Sequence, residues 1–505
     1  MRVAASRLTA VLAAAGTVSG CWLSSGDRDV ARDPTSATLS ADVGTATGTA
    51  PAPVAGAAGG GDSYFPSYGN GGYEVTHYRL QLGYDPDSDR LTASATIDAR
   101  AGQALRAFNL DLVGLSIRSI TVDGSPARWR RTRHELTVTP AEPLGSGTKF
   151  RTVVRYSGRP ERGFRTTDDG ALAAGQPEAA AFWFPVNDHP TDKATYTFVV
   201  TVPSGLVAVA NGELASHRGN TWTWTATAPM ASYLTTVAIG DFDLRSYRTS
   251  SGLRMWDAVD RRIGTIADRS LARQGRIIDF LAGRFGRYPF DTGGAIVDNH
   301  PLGFALETQT RPVYESRFFG GGDPGEELIL VHEIAHQWFG DSVSVSRWRD
   351  IVINEGFATY AEWLWMEEAG YATADQAFDF FYRGLPADNR FWSLRVADPG
   401  PDELFNVAVY WRGAMTLHQL REEVGDAAFF DILRRWAAVK AGGNGTLDEF
   451  VELAEQVSGQ QPDKLFRDWL RTTGKPDASL SSGGEPLTDL GRLILEQRAY
   501  GLIDG

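Results

Sequence analysis

Val331-His332-Glu333-Ile334-Ala335-His336-Gln337-Trp338-Phe339-Gly340, followed by Asn354-Glu355-Gly356, is the stretch on which the fold turns. It reads H-E-x-x-H, with a glutamate 19 residues beyond the second histidine. Residues i and i+4 of a helix are neighbours on one face, so His332 and His336 can aim their imidazoles at one ion. Glu333 falls about 100° round the helix from His332, which brings a carboxylate beside the metal without making it a ligand. Catalytic zinc usually takes three protein ligands and keeps a fourth position for water. His332, His336 and Glu355 fit that count, and the donor set points to one Zn2+ ion. With 8 histidines in 505 residues, a chance H-E-x-x-H has a probability on the order of one in a hundred. The plainer alternative is a pair of hydrogen-bonded core histidines with Glu333 in a surface pair.

The local pattern predicts two helices. Asp323-Pro324-Gly325-Glu326 looks like a capping box, with Asp323 as N-cap, Pro324 at the first helical position and Glu326 at the third. Leu328, Val331, Ala335 and Trp338-Phe339 recur at helical spacing, and Gly340 suits the residue just past a helix end. Asp341-Ser342 breaks the pattern, and Val343 and Val345 alternate with serines as in a short strand or extended loop. A second helical run begins near Glu355 and continues through Ala358, Ala361, Trp363-Leu364 and Met366. Two helices joined by a loop can deliver Glu355 to the histidines. Glu362, seven residues after Glu355, shares its helical face and could orient a ligand histidine from behind. A solvent-facing glutamate is the alternative there.

His332 to Gly340 and Asn354-Glu355-Gly356-Phe357-Ala358 together resemble the signature of the gluzincin zinc aminopeptidases, the family of aminopeptidase N and the leukotriene-hydrolase-type enzymes. Two further stretches carry the resemblance. Val409-Tyr410-Trp411-Arg412-Gly413 is similar to the family's V-x-Y-x-K-G segment, whose tyrosine stabilises the transition state; this implies that role for Tyr410. Phe304-Ala305-Leu306-Glu307-Thr308 resembles the G-x-M-E-N motif, whose glutamate holds the substrate's free amine; here that is Glu307. The same resemblance assigns Gly303 and Ala305 to substrate binding, and Gln176, in Gly175-Gln176-Pro177-Glu178, to the segment that helps hold the amine. It extends from about residue 70 to 475, including Phe184 to Pro190 and Leu465 to Leu470. For Tyr410 the alternative is a half-buried tyrosine packed on Trp411, and for Glu307 a surface carboxylate near Arg311.

The implied chemistry is hydrolysis of an N-terminal peptide bond. Zinc would bring a water's pKa towards neutrality and polarise the scissile carbonyl. Glu333 would act as general base, Tyr410 would share the oxyanion with the zinc, and Glu307 would pair with the substrate's ammonium group. The chain also departs from the family pattern. Phe304 stands for the motif's first glycine and Thr308 for its asparagine, and only about 30 residues follow the catalytic region. It therefore reads as a short form without the long helical C-terminal domain. Two other functions stay open: an open-cleft zinc peptidase with endopeptidase or altered specificity, and a catalytically silent surface binding module.

The N-terminus reads as a lipoprotein leader over residues 1–20. Arg2 and Arg7 precede an apolar run from Leu8 to Val18, too short to span a bilayer, and Val18-Ser19-Gly20-Cys21 looks like a bacterial lipobox. Cys21 is the only cysteine, and lipidation at the first mature residue accounts for it. Acyl chains there would hold the protein on the outer face of the cell membrane. There is then no disulfide framework and no cysteine ligand for the zinc. Residues 21–65, rich in Ser, Thr, Ala, Gly and Pro, read as a disordered linker.

Beyond the linker the pattern is β: Tyr78, Leu80 and Leu82 alternate with polar residues, as do Leu91, Ala93, Ala95 and Ile97. Asp85, Asp87 and Asp89 between them superficially suggest a calcium loop, but Arg90 occupies the position that needs glycine, so a hairpin turn is predicted. From about Ser270 the character turns helical. The expected fold class is therefore α+β and multidomain. A β domain over 66–244, saddle-like by resemblance, precedes a mainly helical, thermolysin-like catalytic domain over 245–478 and a tail over 479–505. The formal net charge of -13 becomes -15 when Arg2 and Arg7 leave with the leader. Such an acidic chain argues against nucleic acid as a partner and fits peptides with a free, positively charged N-terminus. Oligomeric state and the preferred N-terminal side chain are not legible.

Overall fold

Alternating burial builds the first block. Along Tyr73–Asp85 the side chains of Tyr78, Leu80, Leu82 and Tyr84 go inside, and along Arg90–Ala101 Leu91, Ala93, Ala95, Ile97 and Ala99 do the same. That is the period-2 pattern of a sheet with one face on the core. Asp85 and Arg90 pair across the hairpin, and the Asp85 carboxylate accepts from Asp87 N at 3.2 Å and Ser88 Oγ at 2.5 Å. The three aspartates make a turn.

The computed structural model describes residues 52–320, 324–478, 480 and 486–503; the leader, Cys21 and the N-cap Asp323 lie outside the described residues. The main sheet has eight strands in the order Glu213–Arg218, Thr221–Met230, Ala194–Thr201, Tyr73–Asp85, Arg90–Ala101, Lys149–Gly158, Ser116–Val122 and Ser125–Pro126. Only Ala194–Thr201 and Tyr73–Asp85 run parallel within it. Two four-stranded sheets share its core.

A five-stranded sheet follows, in the order Phe242–Arg248, Arg254–Asp260, Thr292–Asp298, Val313–Glu315 and Ala305–Leu306. Its first strand straddles the domain division read at residue 244, and Phe242 pairs with Asp260. Ala305–Leu306 forms one edge, antiparallel to Val313–Glu315. The helices are α1 (Asp268–Leu271), α2 (Gln274–Phe285), α3 (Pro324–Ala335), α4 (Val352–Glu368), α5 (Ala374–Gly384), α6 (Val407–Val424), α7 (Asp426–Val439), α8 (Leu447–Ser458), α9 (Asp463–Phe466) and α10 (Asp489–Ile503). This is the α+β arrangement expected, a sheet-rich block followed by a mainly helical one.

The linker read over 21–65 needs a correction in its last part. Val54–Ala55 pairs parallel with Leu105–Asp111. Asp62 Oδ1 accepts from Tyr64 N at 2.8 Å and Phe65 N at 3.2 Å, while Oδ2 accepts from Trp348 N at 2.8 Å. Tyr64 donates to Asp398 Oδ1 at 2.5 Å and accepts from Gly400 N at 2.8 Å. Two anchoring side chains and a strand pairing hold a stretch whose average composition is that of a tether. Two more residues of the β block clamp the loop after α3. Lys193 Nζ donates to the carbonyls of Asp341 and Ser342 at 2.9 and 3.0 Å, and Tyr233 Oη donates to Gly340 O at 2.8 Å.

Candidate metal centre and cleft

His332 lies in the last turns of α3, and His336 follows one turn on, its N–H donating to His332 O at 3.2 Å. The chain then turns at Gly340, with φ 138°, and runs through the short strand Ser344–Val345. It enters α4 at Val352, three residues before Glu355. Glu355 thus sits in the first turn of α4, facing α3. Its Oε2 is 3.5 Å from His332 Nε2 and 3.4 Å from His336 Nε2. One ligand atom from each of the three lies within 4.8 Å of the others.

The other ring nitrogens are occupied. His332 Nδ1 is 2.9 Å from Glu362 Oε1, and His336 Nδ1 is 3.0 Å from Phe339 O. A carboxylate oxygen and a carbonyl oxygen thus engage the two Nδ1 atoms, which leaves each Nε2 facing Glu355 and the space where a cation would be held. Two imidazole nitrogens and one carboxylate oxygen converge with their outer sides already satisfied. That is the donor set zinc takes, and the residues fit it.

Charge among these side chains is self-balanced. Burial works against the charge on Glu355, but the histidines outweigh it and hold its carboxyl at about 2. Glu333 has no such direct partner. Burial pushes it up to about 7, with both histidines opposing the shift. A carboxylate poised near neutrality at the cleft wall suits a group that must take and return a proton. Glu307 is also raised, mainly by burial. Glu307, Glu333 and His336 each bring one atom within 4.8 Å of the other two.

Glu307 follows the edge strand Ala305–Leu306. Its Oε1 accepts from Gln176 Nε2 at 2.6 Å, so a loop of the β block and the edge of the catalytic sheet meet at this carboxylate. Gly303 N donates to Glu315 Oε2 at 2.7 Å, which ties the segment before the edge strand to its neighbour. Gln337, which the motif contains but whose role spacing cannot reveal, fastens the segment to the metal helix. Its Nε2 donates to Glu307 O at 3.1 Å and its Oε1 accepts from Thr310 N at 2.7 Å. Thr308 is turned inward, donating to Arg311 O at 2.6 Å. Its departure from the motif therefore does not reach the cleft. Phe304 does line the cleft, beneath the Arg165 guanidinium 5.2 Å from its ring centre.

Tyr410 comes from the first turn of α6. The Asn406 side chain caps that turn by accepting from Ala408 N at 2.9 Å. The Tyr410 ring lies 5.9 Å from that of His332, and burial beside Glu355, Glu307 and Glu333 pushes its hydroxyl well above the usual range. It stays a donor. The helices α4 and α6 approach closely at two glycines: a Cβ on Gly413 would stand 2.7 Å from Gly356 Cα. Arg412 locks the outer side of α6, giving its buried guanidinium to the carbonyls of Trp392, Leu394, Asp468 and Thr472 at 2.7–3.4 Å. A forked guanidinium can serve that many acceptors where a lysine could not.

His332, Glu333, His336, Glu355, Glu307 and Tyr410 line a cleft of about 550 Å³ that also takes in Gln176 and Arg498. Its size suits a small molecule or the end of a peptide.

Comparison with known proteins gives a consistent result. The model of the peptidase M1 N-terminal domain matches residues 74–234, and that of the peptidase family M1 domain matches 325–469. Aminopeptidase N of Streptomyces lividans is 25% identical over 315 residues, covering 57% of this chain and 36% of that protein. Aminopeptidase M1 of Arabidopsis thaliana is 24% identical over 359 residues, 65% of this chain and 39% of that one. The chain thus matches well under half the length of these curated relatives. The M1 zinc metallopeptidase of Deinococcus radiodurans superposes with a TM-score of 0.74 at 30% identity, over 83% of this chain and 99% of that structure. A mutant of that protein bound to a Tyr-Ser-Ala substrate gives a TM-score of 0.73 at 29% identity.

Proposed function

The chain belongs to peptidase family M1 and is built as a metallopeptidase of that family; from this premise we propose that it is a zinc-dependent aminopeptidase removing the N-terminal residue of peptides. The observation that carries the reading is the Gln176–Glu307 pair, a buried carboxylate held beside Glu333 and His336. A peptide's ammonium group would balance the charge that burial disfavours on Glu307, and so fix the register of the chain in the cleft. Gly303 and Ala305, on the same edge segment, would guide the substrate backbone.

Zinc held by His332, His336 and Glu355 would supply Lewis acidity and an attacking water of near-neutral pKa. Glu333 takes the water's proton and passes it to the leaving nitrogen, which its position near neutrality favours. Tyr410 donates its hydroxyl to the developing oxyanion, and as a neutral donor it does so throughout the physiological range. Glu362 holds His332 from behind.

The reading includes an anchor. The lipobox-like Val18-Ser19-Gly20-Cys21 supports lipidation at Cys21 on the outer face of a bacterial membrane. Among the described residues, no helix is long and apolar enough to cross a membrane. Lipid labelling that persists in Cys21→Ala would remove this part.

The deciding experiment compares a free peptide with its N-acetylated form. Cleavage of the free form alone is expected, with Glu333→Gln lowering kcat by about 10² to 10⁴. Equal rates on both forms would establish an endopeptidase. Full zinc occupancy without hydrolysis across a broad peptide panel would establish a binding module.

A further inference from the structure

Residues beyond both matched regions finish one wall of the cleft. Helix α10 (Asp489–Ile503) is docked by Ile494 and Leu495, both buried, and by a close approach at Gly491, where a Cβ would meet Tyr371 O at 2.2 Å. From this helix Arg498 reaches the cleft. It donates from Nη2 to Glu362 Oε2, and its guanidinium lies 5.9 Å from the Trp411 ring centre. The Arg498 side chain is 12% exposed and that of Glu362 only 1%. Arg498 Nε is buried without a partner, so among the described residues Glu362 is the acceptor this guanidinium is committed to.

Glu362 is shared between two partners. Oε1 takes the proton of His332 Nδ1, and Oε2 takes Arg498. A carboxylate buried behind His332 with one oxygen unpaired would be costly and free to rotate away from the imidazole. Arg498 removes both problems. It supplies a counter-charge from the side away from the metal, and it fixes the plane of the carboxylate so that Oε1 stays on His332 Nδ1.

We propose that Arg498 is a positioning residue of the metal centre: by holding Glu362, the C-terminal helix sets how tightly the site binds zinc. The proposal rests on the reading of His332, His336 and Glu355 as zinc ligands. A partner that holds a ligating histidine, as Glu362 would, is worth about 10- to 100-fold in metal affinity, and the loss from Arg498, which acts through Glu362, has that as its ceiling.

The test is zinc affinity of the full chain, measured by competition with a chromogenic chelator. The variants are Arg498→Met, Arg498→Lys, Glu362→Gln and the Glu362→Gln/Arg498→Met double variant. Arg498→Met is expected to bind zinc more weakly, by up to about 100-fold. Arg498→Lys should recover part of that loss, and the double variant should be no weaker than Glu362→Gln alone. A merely structural arginine would give a loss that adds fully in the double variant, and that result overturns the proposal. Parental affinity in Arg498→Met does the same. Should Arg498→Met not fold, Arg498→Lys against the parent decides, since unchanged affinity there with Glu362→Gln also unchanged breaks the link. A parent that binds no zinc would sink the zinc reading itself. Tight zinc binding without peptide hydrolysis would sink only the aminopeptidase reading.

Discussion

On the proposed reading, protons and a zinc ion compete for the ring nitrogens of His332 and His336. Burial lowers the pKa of His332, but its hydrogen bonds to Glu355 and Glu362 more than offset this and raise it to about 9. His336 is raised too, burial being outweighed by the carboxylates around it. A proton on Nε2 must leave before that nitrogen can hold a cation, so metal binding releases protons. The sign follows directly. Apparent zinc affinity should climb as pH rises towards about 9, by about tenfold per pH unit for each proton displaced, and zinc should be shed on acidification. Chelator competition at pH 6.5 and 8.5 checks this, and a flat profile would mean that both imidazoles are already neutral in the metal-free protein. Spacing alone brings His332 and His336 to one face because i, i+4 geometry is local. Gln176 could be reached only through family resemblance, since it meets Glu307 across 131 residues of chain. Arg498 and the clamp made by Gln337 escaped altogether, since each acts through a contact that no periodicity encodes.

At the level of elements, the crossing of α4 and α6 decides where Tyr410 stands relative to Glu355. Gly356 and Gly413 face one another there, each occupying space the other's Cβ would need. Replacing glycine by alanine inside an exposed helix gains about 1 kcal/mol. Overpacking a tight contact costs typically about 1–3 kcal/mol, and here the clash is with backbone, which cannot swing aside. The cost should win. Gly413→Ala is expected to lower the melting temperature and reduce kcat more than it changes KM, because the helix carrying Tyr410 must move away from α4. Thermal melting with steady-state kinetics measures both, and a more stable, fully active variant would contradict the geometry. Helices α3 and α4, whose apolar residues recur at helical spacing, are legible in the sequence. The five-stranded sheet was not. Thr292–Asp298 is buried at every position, so it lacks the alternation that marks a half-exposed strand, and Ala305–Leu306 is too short to carry any pattern.

For the molecule as a whole, the order of a β block and a helical block was readable, and the two ends of the described chain were not. Segment 52–65 has a linker's composition, yet Asp62, Tyr64 and Phe65 fasten it beside Trp348. Helix α10 turns apolar residues both ways, with Leu490 and Leu493 exposed while Ile494 and Leu495 are buried, so no clean stripe announces its docking face. The seat of Arg498 on Glu362 has a consequence of its own, because energetic coupling between two sites is reciprocal. If docking of α10 tightens zinc by some factor, zinc must tighten the docking of α10 by that same factor. Stripping the metal should therefore loosen the helix and speed proteolytic cleavage after residue 486, while in Arg498→Met the metal should make little difference to that cleavage. Timed digestion with and without chelator reads the effect, and metal-independent cleavage of the parent would show the two to be uncoupled. On this account a protease that trims the C-terminus would act as a regulator of metal loading, and a cell short of zinc would mark this enzyme for clipping at the end that helps it keep the ion.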